Sequence, residues 1–273
     1  MDVLQAQGDA APFDAIAARY DETFTTSKIG YAQRASVWKE LEKAFRPGDS
    51  VIEIGCGTGV DACFMAERGV TVVACDSSPQ MLGLAIRRIK QNGRDRSVRP
   101  HLLAAEDIAI LGNRSFDGAF SNFGALNCVD NLPQFARDLA LLLKPGATAL
   151  LCWMGPCCGW EIAWYLAQGN PAKAFRRLRR GGVTARLSES ASVRVHYPSI
   201  HRLRRIFTPE FRLVSFTGIG VSVPPTYVEY WANRFPRLFE LSVRADLVLE
   251  RCPGIRAFAD HILVEFRRET LQV

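Results

Sequence analysis

The stretch "VIEIGCGTGVDACFMAERGVTVVACD", residues 51–76, constrains the fold more than any other part of the chain. An apolar run ends at Ile54, glycines follow at 55, 57 and 59, and a second apolar run closes on Asp76. Strand, glycine turn and helix in that order is how α/β proteins present backbone N–H groups to a ligand at a helix N-terminus. The spacing argues against two common loops. A phosphate-cradling loop needs Lys-Ser/Thr after its last glycine, and Val60-Asp61 stands there. A dinucleotide loop needs its third glycine at the place Val60 holds. A carboxylate where Asp76 stands can accept both hydroxyls of a ribose, which suits any adenosine ligand and by itself selects none.

The pattern around this stretch repeats. Helices are expected over 12–45, where Phe13, Ile16, Ala17 and Tyr20, then Val37, Leu41 and Ala44, fall at helical spacing. Ser78 and Pro79 open a helix, "RPHLLAAEDI" holds a third strand and its exit loop, and "FDGAFSNFGALN" holds a fourth. "LPQFARDLALLLKPG" reads as a helix ending at Pro145-Gly146, and "ATALLCWM" as a fifth strand. Strands alternating with helices make a parallel sheet covered on both faces the expected architecture. After Trp153 the rhythm breaks. Two short helices are expected in "GPCCGWEIAWYLAQGN" and "PAKAFRRLRRGG", a strand in "SASVRVHYPS", a helix in "SIHRLRRIF" and strands in "FRLVSFTGIGVSV" and "DHILVEFRRE". Thr226-x-x-Glu229 has the form of a capping box and is expected to start a long helical region reaching about Glu250.

Glu53, two residues before the first glycine, completes "EIGCGTG", which resembles motif I of the class I S-adenosylmethionine-dependent methyltransferases. The resemblance runs over about residues 13–153. "ARYDETF" is similar to the lid segment of small-molecule members, and Asp76 with the "SSPQML" that follows it to motif II. "FDGAFSNFGALNCV" is similar to motif IV and "LLLKPGATALLCW" to motif V. The resemblance implies a Rossmann-like, doubly wound sheet of seven strands, mostly parallel with the last antiparallel. It also implies S-adenosylmethionine as cofactor, with Tyr20 over it. Glu53, Gly55, Cys56, Gly57, Asp76, Ser77, Met81, Ser121 and Asn122 would lie around it. In the loop "AAEDI" the family usually has aspartate where Ala104 stands, so the adenine contact passes to Ala105, Glu106 or Asp107. The expected division is an N-terminal helical lid over 1–45, a cofactor-binding core over 46–153, an inserted α/β cap over 154–200, and the end of the core over 201–273 with a helical insertion at about 224–256.

Methyl transfer needs an aligned nucleophile, and a base only when the acceptor carries a proton. No catalytic triad is legible. The candidates are Asn122 in the loop after strand four, and His196 and His201. The loop "SNFGAL" lacks the Asn/Asp-Pro-Pro-aromatic signature that would mark a nucleic-acid amino group as acceptor. A small-molecule acceptor methylated at oxygen or nitrogen is the leading expectation. An RNA methyltransferase and a catalytically silent S-adenosylmethionine-binding scaffold are the rivals.

The net charge of +6 has a local source. Between 168 and 205 stand Lys173, Arg176, Arg177, Arg179, Arg180, Arg186, Arg194, Arg202, Arg204 and Arg205, and Glu189 is the one acidic residue among them. A solvated face, recognition of an anionic acceptor, and docking on RNA or an anionic membrane all fit the stretch 173–205. An acceptor carried on a lipid would unite the last two. Trp160, Trp164 and Tyr165 are read as packing residues. The eight cysteines form no CxxC pair, which argues for free thiols and against a metal site. With no apolar run of 18 residues and no basic, apolar leader in "MDVLQAQGDAAPFD", a cytoplasmic protein is expected.

Overall fold

The computed structural model describes residues 11–112, 115–189 and 191–270. The first ten residues of the expected lid lie outside it. Seven strands form one sheet: β1 (Ser50–Ile54), β2 (Thr71–Asp76), β3 (Val98–Leu102), β4 (Phe116–Ser121), β5 (Leu143–Met154), β8 (Phe211–Ile219) and β9 (His261–Arg268). Their order is β3-β2-β1-β4-β5-β9-β8. The first five pair in parallel, and β9 runs antiparallel to both its neighbours. A separate two-stranded ribbon joins β6 (Val183–Arg186) and β7 (Ser192–Val195).

Strand alternation divides the core into two layers. Ile52 and Ile54 of β1 face one side, packed with Phe135 and Leu139 of α5 (Leu132–Leu142) and Leu203 and Phe207 of α8 (Ile200–Phe207). Val51 faces the other side, beneath α2 (Lys28–Ala44), α3 (Val60–Glu67) and α4 (Pro79–Gln91). Glu53, two residues on, belongs to the same side as Val51. That phase puts a carboxylate under α2 and α3, where it is 1% exposed.

The N-terminal helical region is α1 (Asp14–Tyr20), continued as a wider turn over Asp21–Thr25, and then α2. Beyond β5, the inserted part comprises α6 (Gly159–Ala167), the single turn α7 (Pro171–Ala174), a 3-10 turn over Arg176–Leu178, and the ribbon. The second insertion holds α9 (Glu229–Arg234) and α10 (Pro236–Leu249).

Four local expectations are corrected. Helix α5 ends at Leu142, not at Pro145-Gly146, and β5 starts at Leu143. The register of β4 on β5 jumps there, from Phe116 opposite Leu143 to Gly118 opposite Thr148. Proline without an N–H and Gly146 at φ 78° are accommodated in that irregularity. Thr226-x-x-Glu229 is not a capping box. The Glu229 carboxylate accepts Lys28 N–H at 2.9 Å and Ile29 N–H at 3.1 Å, so it caps α2 from two hundred residues away. Ser27 already serves Gly30 N–H, which leaves those first-turn donors in need of acceptors. The helical region it was expected to open breaks at Phe235-Pro236. "GGVTARL" carries the strand β6, which the alternation of "SASVRV" alone did not suggest.

Candidate active site

The C-terminal ends of β1, β2 and β4 meet above the sheet, at the edge where open α/β sheets bind ligands. Gly55 takes φ 70°, and a Cβ there would lie 2.3 Å from Ala125 Cβ, so only glycine passes between the two loops. Gly59 caps α3 at φ 77° against Ala85 of α4. Asp76 closes the turn from the next strand. Its Oδ2 accepts Gly57 N–H at 2.7 Å and its Oδ1 accepts Ser78 N–H at 2.9 Å, leaving a lone pair on each oxygen for hydroxyl donors. Burial holds this carboxyl above its ordinary value, against the pull of those N–H groups.

A cavity of about 410 Å³ opens here. It brings together Tyr20, Gly55, Gly57, Asp76, Ser77, Met81, Ala105, Glu106 and Asn122. Its far wall is apolar and comes from the ribbon: Ala185, Leu187, Val193 and Val195. Among the described lining residues the charged types are Asp76 and Glu106, with no lysine or arginine. Cys56 instead lines a niche beside the cavity, with Tyr20, Arg34, Gly55, Gly57, Thr58, Asp61 and Asn122.

The niche holds a buried polar cluster. Asp61 Oδ2 accepts Arg34 Nη1 at 2.6 Å and Asn122 Nδ2 at 2.9 Å, and Oδ1 accepts Trp38 Nε1 at 2.7 Å. Arg34 Nε is buried and makes no hydrogen bond, and so is Glu53 Oε2 below the turn. Burial, and secondarily the charge of Asp61, pushes the Glu53 carboxyl well above the usual range. Burial pushes the Tyr20 phenol up to about 12, so at neutral pH it is a hydrogen-bond donor. Phe123 takes φ 46° between the niche and the cavity. Its ring packs edge-on to Phe24 at 4.6 Å, with the Arg34 guanidinium 4.9 Å away.

The remaining expected site residues fall elsewhere. Glu53 lines neither space, for the reason of strand phase given above. Asp107 is exposed on the 3-10 turn Ala105–Leu111, and Ser121 is buried with its hydroxyl on Ile54 O at 2.8 Å. His196 fastens the ribbon to the core. Its N–H donates to Asn127 O at 2.7 Å, Asn127 Nδ2 donates back to its carbonyl, and its ring lies 2.9 Å from Asp130 Oδ1. His201 is exposed on α8. Neither histidine lines the cavity.

The arginine-rich segment also resolves differently. Its opposing charges lie outside it: Glu161 meets Arg176 at 2.8 Å and Arg177 at 2.9 Å, and Asp260 meets Arg177 at 2.8 Å. Arg177 is 5% exposed and its guanidinium clamps the insertion onto the start of β9. Trp160 donates to Ser222 O at 2.7 Å, and Tyr165 stacks on Tyr227.

Arg34, Asp61 and the ribbon residues were missed. A signal existed for Arg34, which shares the apolar phase of Val37 and Leu41 on α2. None existed for its partner Asp61, because their meeting depends on how α2 crosses α3.

Residues 51–146 match the methyltransferase domain family. Residues 51–146 are thus a methyltransferase domain, set in a seven-stranded sheet of the class I fold. Demethylmenaquinone methyltransferase of Corynebacterium kroppenstedtii is 32% identical over 146 residues, covering 52% of this chain and 58% of that protein. Demethylmenaquinone methyltransferase of Mycobacterium sp. (strain JLS) is 31% identical over 146 residues, with the same coverages of 52% and 58%. The chain thus spans little more than half the length of these curated relatives. Among solved structures, the CcbJ methyltransferase from Streptomyces caelestis superposes with a TM-score of 0.62 at 16% identity, over 96% of this chain and 100% of that one. The [4+2]-cyclase SpnF superposes with a TM-score of 0.60 at 12% identity, over 94% of each chain. At such identities the methyltransferase domain shares a fold with these proteins, and the fold alone does not select a reaction.

The niche and cavity fit S-adenosylmethionine chemically. The unpartnered Arg34 Nε is a buried cationic donor suited to a carboxylate, and Asp76 offers acceptors suited to a ribose. Met81, 2% exposed, and Ala105 supply apolar surface suited to an adenine.

Proposed function

We propose that this methyltransferase domain transfers a methyl group from S-adenosylmethionine to a neutral, largely apolar small molecule. One observation carries the cofactor reading: an unpartnered buried guanidinium donor and a ribose-type carboxylate stand on either side of one glycine turn. Bound there, S-adenosylmethionine supplies the activated methyl group and the leaving group. Arg34 binds its carboxylate and Asp76 its ribose, Tyr20 donates a hydrogen bond and covers it, and the ribbon excludes water from the reacting centre. Asn122, anchored on Asp61, is the polar group best placed to orient the acceptor.

The acceptor class follows from the cavity wall. Val193 and Val195 meet the ligand with hydrocarbon, and the carboxylates of Asp76 and Glu106 disfavour an anion. A lipid quinone precursor, the kind of substrate named for the curated relatives, has the required apolar character. We infer that residues 154–200 form the acceptor's cap.

Calorimetry with S-adenosylhomocysteine and with NAD tests the cofactor. Binding of the first and not the second is expected, and tight NAD binding alone would overturn the reading. A radiolabelled methyl-transfer assay then compares neutral naphthol- or quinol-type acceptors with phosphorylated ones. Preference for the phosphorylated set, or for RNA, would refute the acceptor class.

A further inference from the structure

Helix α10 presents one face to the core and another that none of the described residues covers. Phe239, Ser242 and Asp246 recur on the buried side. Leu238, Leu241 and Val248 recur at three- and seven-residue intervals on the opposite side, where they are 51%, 59% and 72% exposed. Arg237 and Arg244, seven residues apart, flank this stripe on one edge, and both are exposed. Glu240 is exposed beyond them. Next to α10, a groove of about 310 Å³ separates it from α2, floored by Ala32, Ala35, Val243 and Leu247 and rimmed by Lys28 and Lys39. The carboxylates that reach the groove are occupied: Asp246 accepts Ser222 and Val223 N–H, and Glu250 accepts the Ser36 hydroxyl at 2.6 Å.

We propose that α10 lies on an anionic lipid bilayer, with Leu238, Leu241 and Val248 inserted among the acyl chains and Arg237 and Arg244 against the headgroups. An exposed apolar stripe edged by cations is the pattern of a helix that rests in a membrane interface. The charges decide the occupant. A second copy docked through the same face about a two-fold axis would bring like-charged Arg237 and Arg244 sets together at one interface. An anionic bilayer offers one continuous field of opposite sign. Docking on an anionic membrane is one of three readings of the stretch 173–205. Arg177 of that stretch is spent inside the fold, and α10 offers a separate apolar and basic face. No helix of the described residues is long and apolar enough to cross a membrane, so the contact is peripheral. The inference does not depend on methyl transfer.

The test is co-sedimentation of the full chain with vesicles of phosphatidylglycerol and phosphatidylcholine in equal parts, beside vesicles of phosphatidylcholine alone. Binding to the first, weakened by salt, and much weaker binding to the second are expected. Arg237→Glu with Arg244→Glu should weaken partitioning more than tenfold, taking about fivefold per arginine for each charge lost at an anionic surface. Leu241→Glu should weaken it at least tenfold, and Leu241→Gln should also weaken it if insertion, not charge alone, matters. These positions are exposed, so thermal melting should not change, and a variant that melts early is replaced by Val248→Gln. Equal partitioning to both vesicle types, or unchanged binding of the charge-reversed variant, would overturn the proposal. So would a dimer in analytical ultracentrifugation that Leu241→Glu dissociates, which would assign the face to a second copy.

Discussion

Replacing Asp61 by alanine is the most incisive perturbation of the site, because three donors converge on one buried carboxylate. Arg34 is 5% exposed and Asp61 is 3% exposed, so a guanidinium deprived of its partner cannot recover its hydration. Breaking a buried ion pair by removing one member costs about 3–5 kcal/mol, most of it from the charge left behind. Trp38 Nε1 and Asn122 Nδ2 lose acceptors in the same change. Against a stability of about 5–15 kcal/mol for a typical domain, Asp61→Ala should sit near the limit of folding. Urea unfolding followed by tryptophan fluorescence measures the loss directly. Arg34→Met removes the other charge, and the double variant should be more stable than the sum of the single losses by about 2 kcal/mol or more, the signature of a coupled pair. Strict additivity, or a cost for Asp61→Ala below about 1 kcal/mol, would show that the cluster is not a buried, mutually dependent unit. S-adenosylhomocysteine affinity should fall in either single variant, and unchanged affinity in Arg34→Met would remove Arg34 from the cofactor's binding groups.

Gly55→Ala should destabilise the turn by about 2–5 kcal/mol, combining a left-handed residue with overpacking, and abolish S-adenosylhomocysteine binding. Adding Ala125→Gly removes the atom 2.3 Å from the new Cβ, and should restore part of both when measured by melting and calorimetry. Burial raises the Asp246 carboxyl from 3.8 to about 6 in the folded state. The protonated form is therefore the one the fold favours. Its contribution, on the order of 3 kcal/mol, is complete below the unfolded value and disappears as pH rises through the folded one. Asp246→Asn should flatten that segment of the unfolding free energy between about pH 4 and 6, and a persisting decline there would assign it to other groups.

What was legible in the chain was local. Glycines 55, 57 and 59 and Asp76 sit on consecutive elements of a strand–turn–helix–strand unit, so their geometry follows from a few dozen residues of periodicity. Glu53 shows where that reading stops. Its place before the first glycine suggested a ligand contact, but alternation along β1 turns it toward α2 and α3. Arg176 and Arg177 looked unopposed because their partners Glu161 and Asp260 lie outside the window 168–205. His196 had the chemistry of a base, yet Asn127 and Asp130 engage it as a fastener. The strand β6 escaped notice because four residues carry too short an alternation to stand out beside a Gly-Gly turn.

The bond from Glu229 to the first turn of α2 also sets an order of events. During synthesis the helix carrying Arg34 emerges early, and its cap emerges some two hundred residues later. The central sheet likewise stays open until β9 slips between β5 and β8. A nascent chain stalled before residue 229 holds the glycine turn and Asp76 without a settled lid, and long-range closures of this kind slow folding. Competence to hold a ligand should therefore arrive abruptly once β9 has been made, as one event shared by α2 and the segments that follow residue 228.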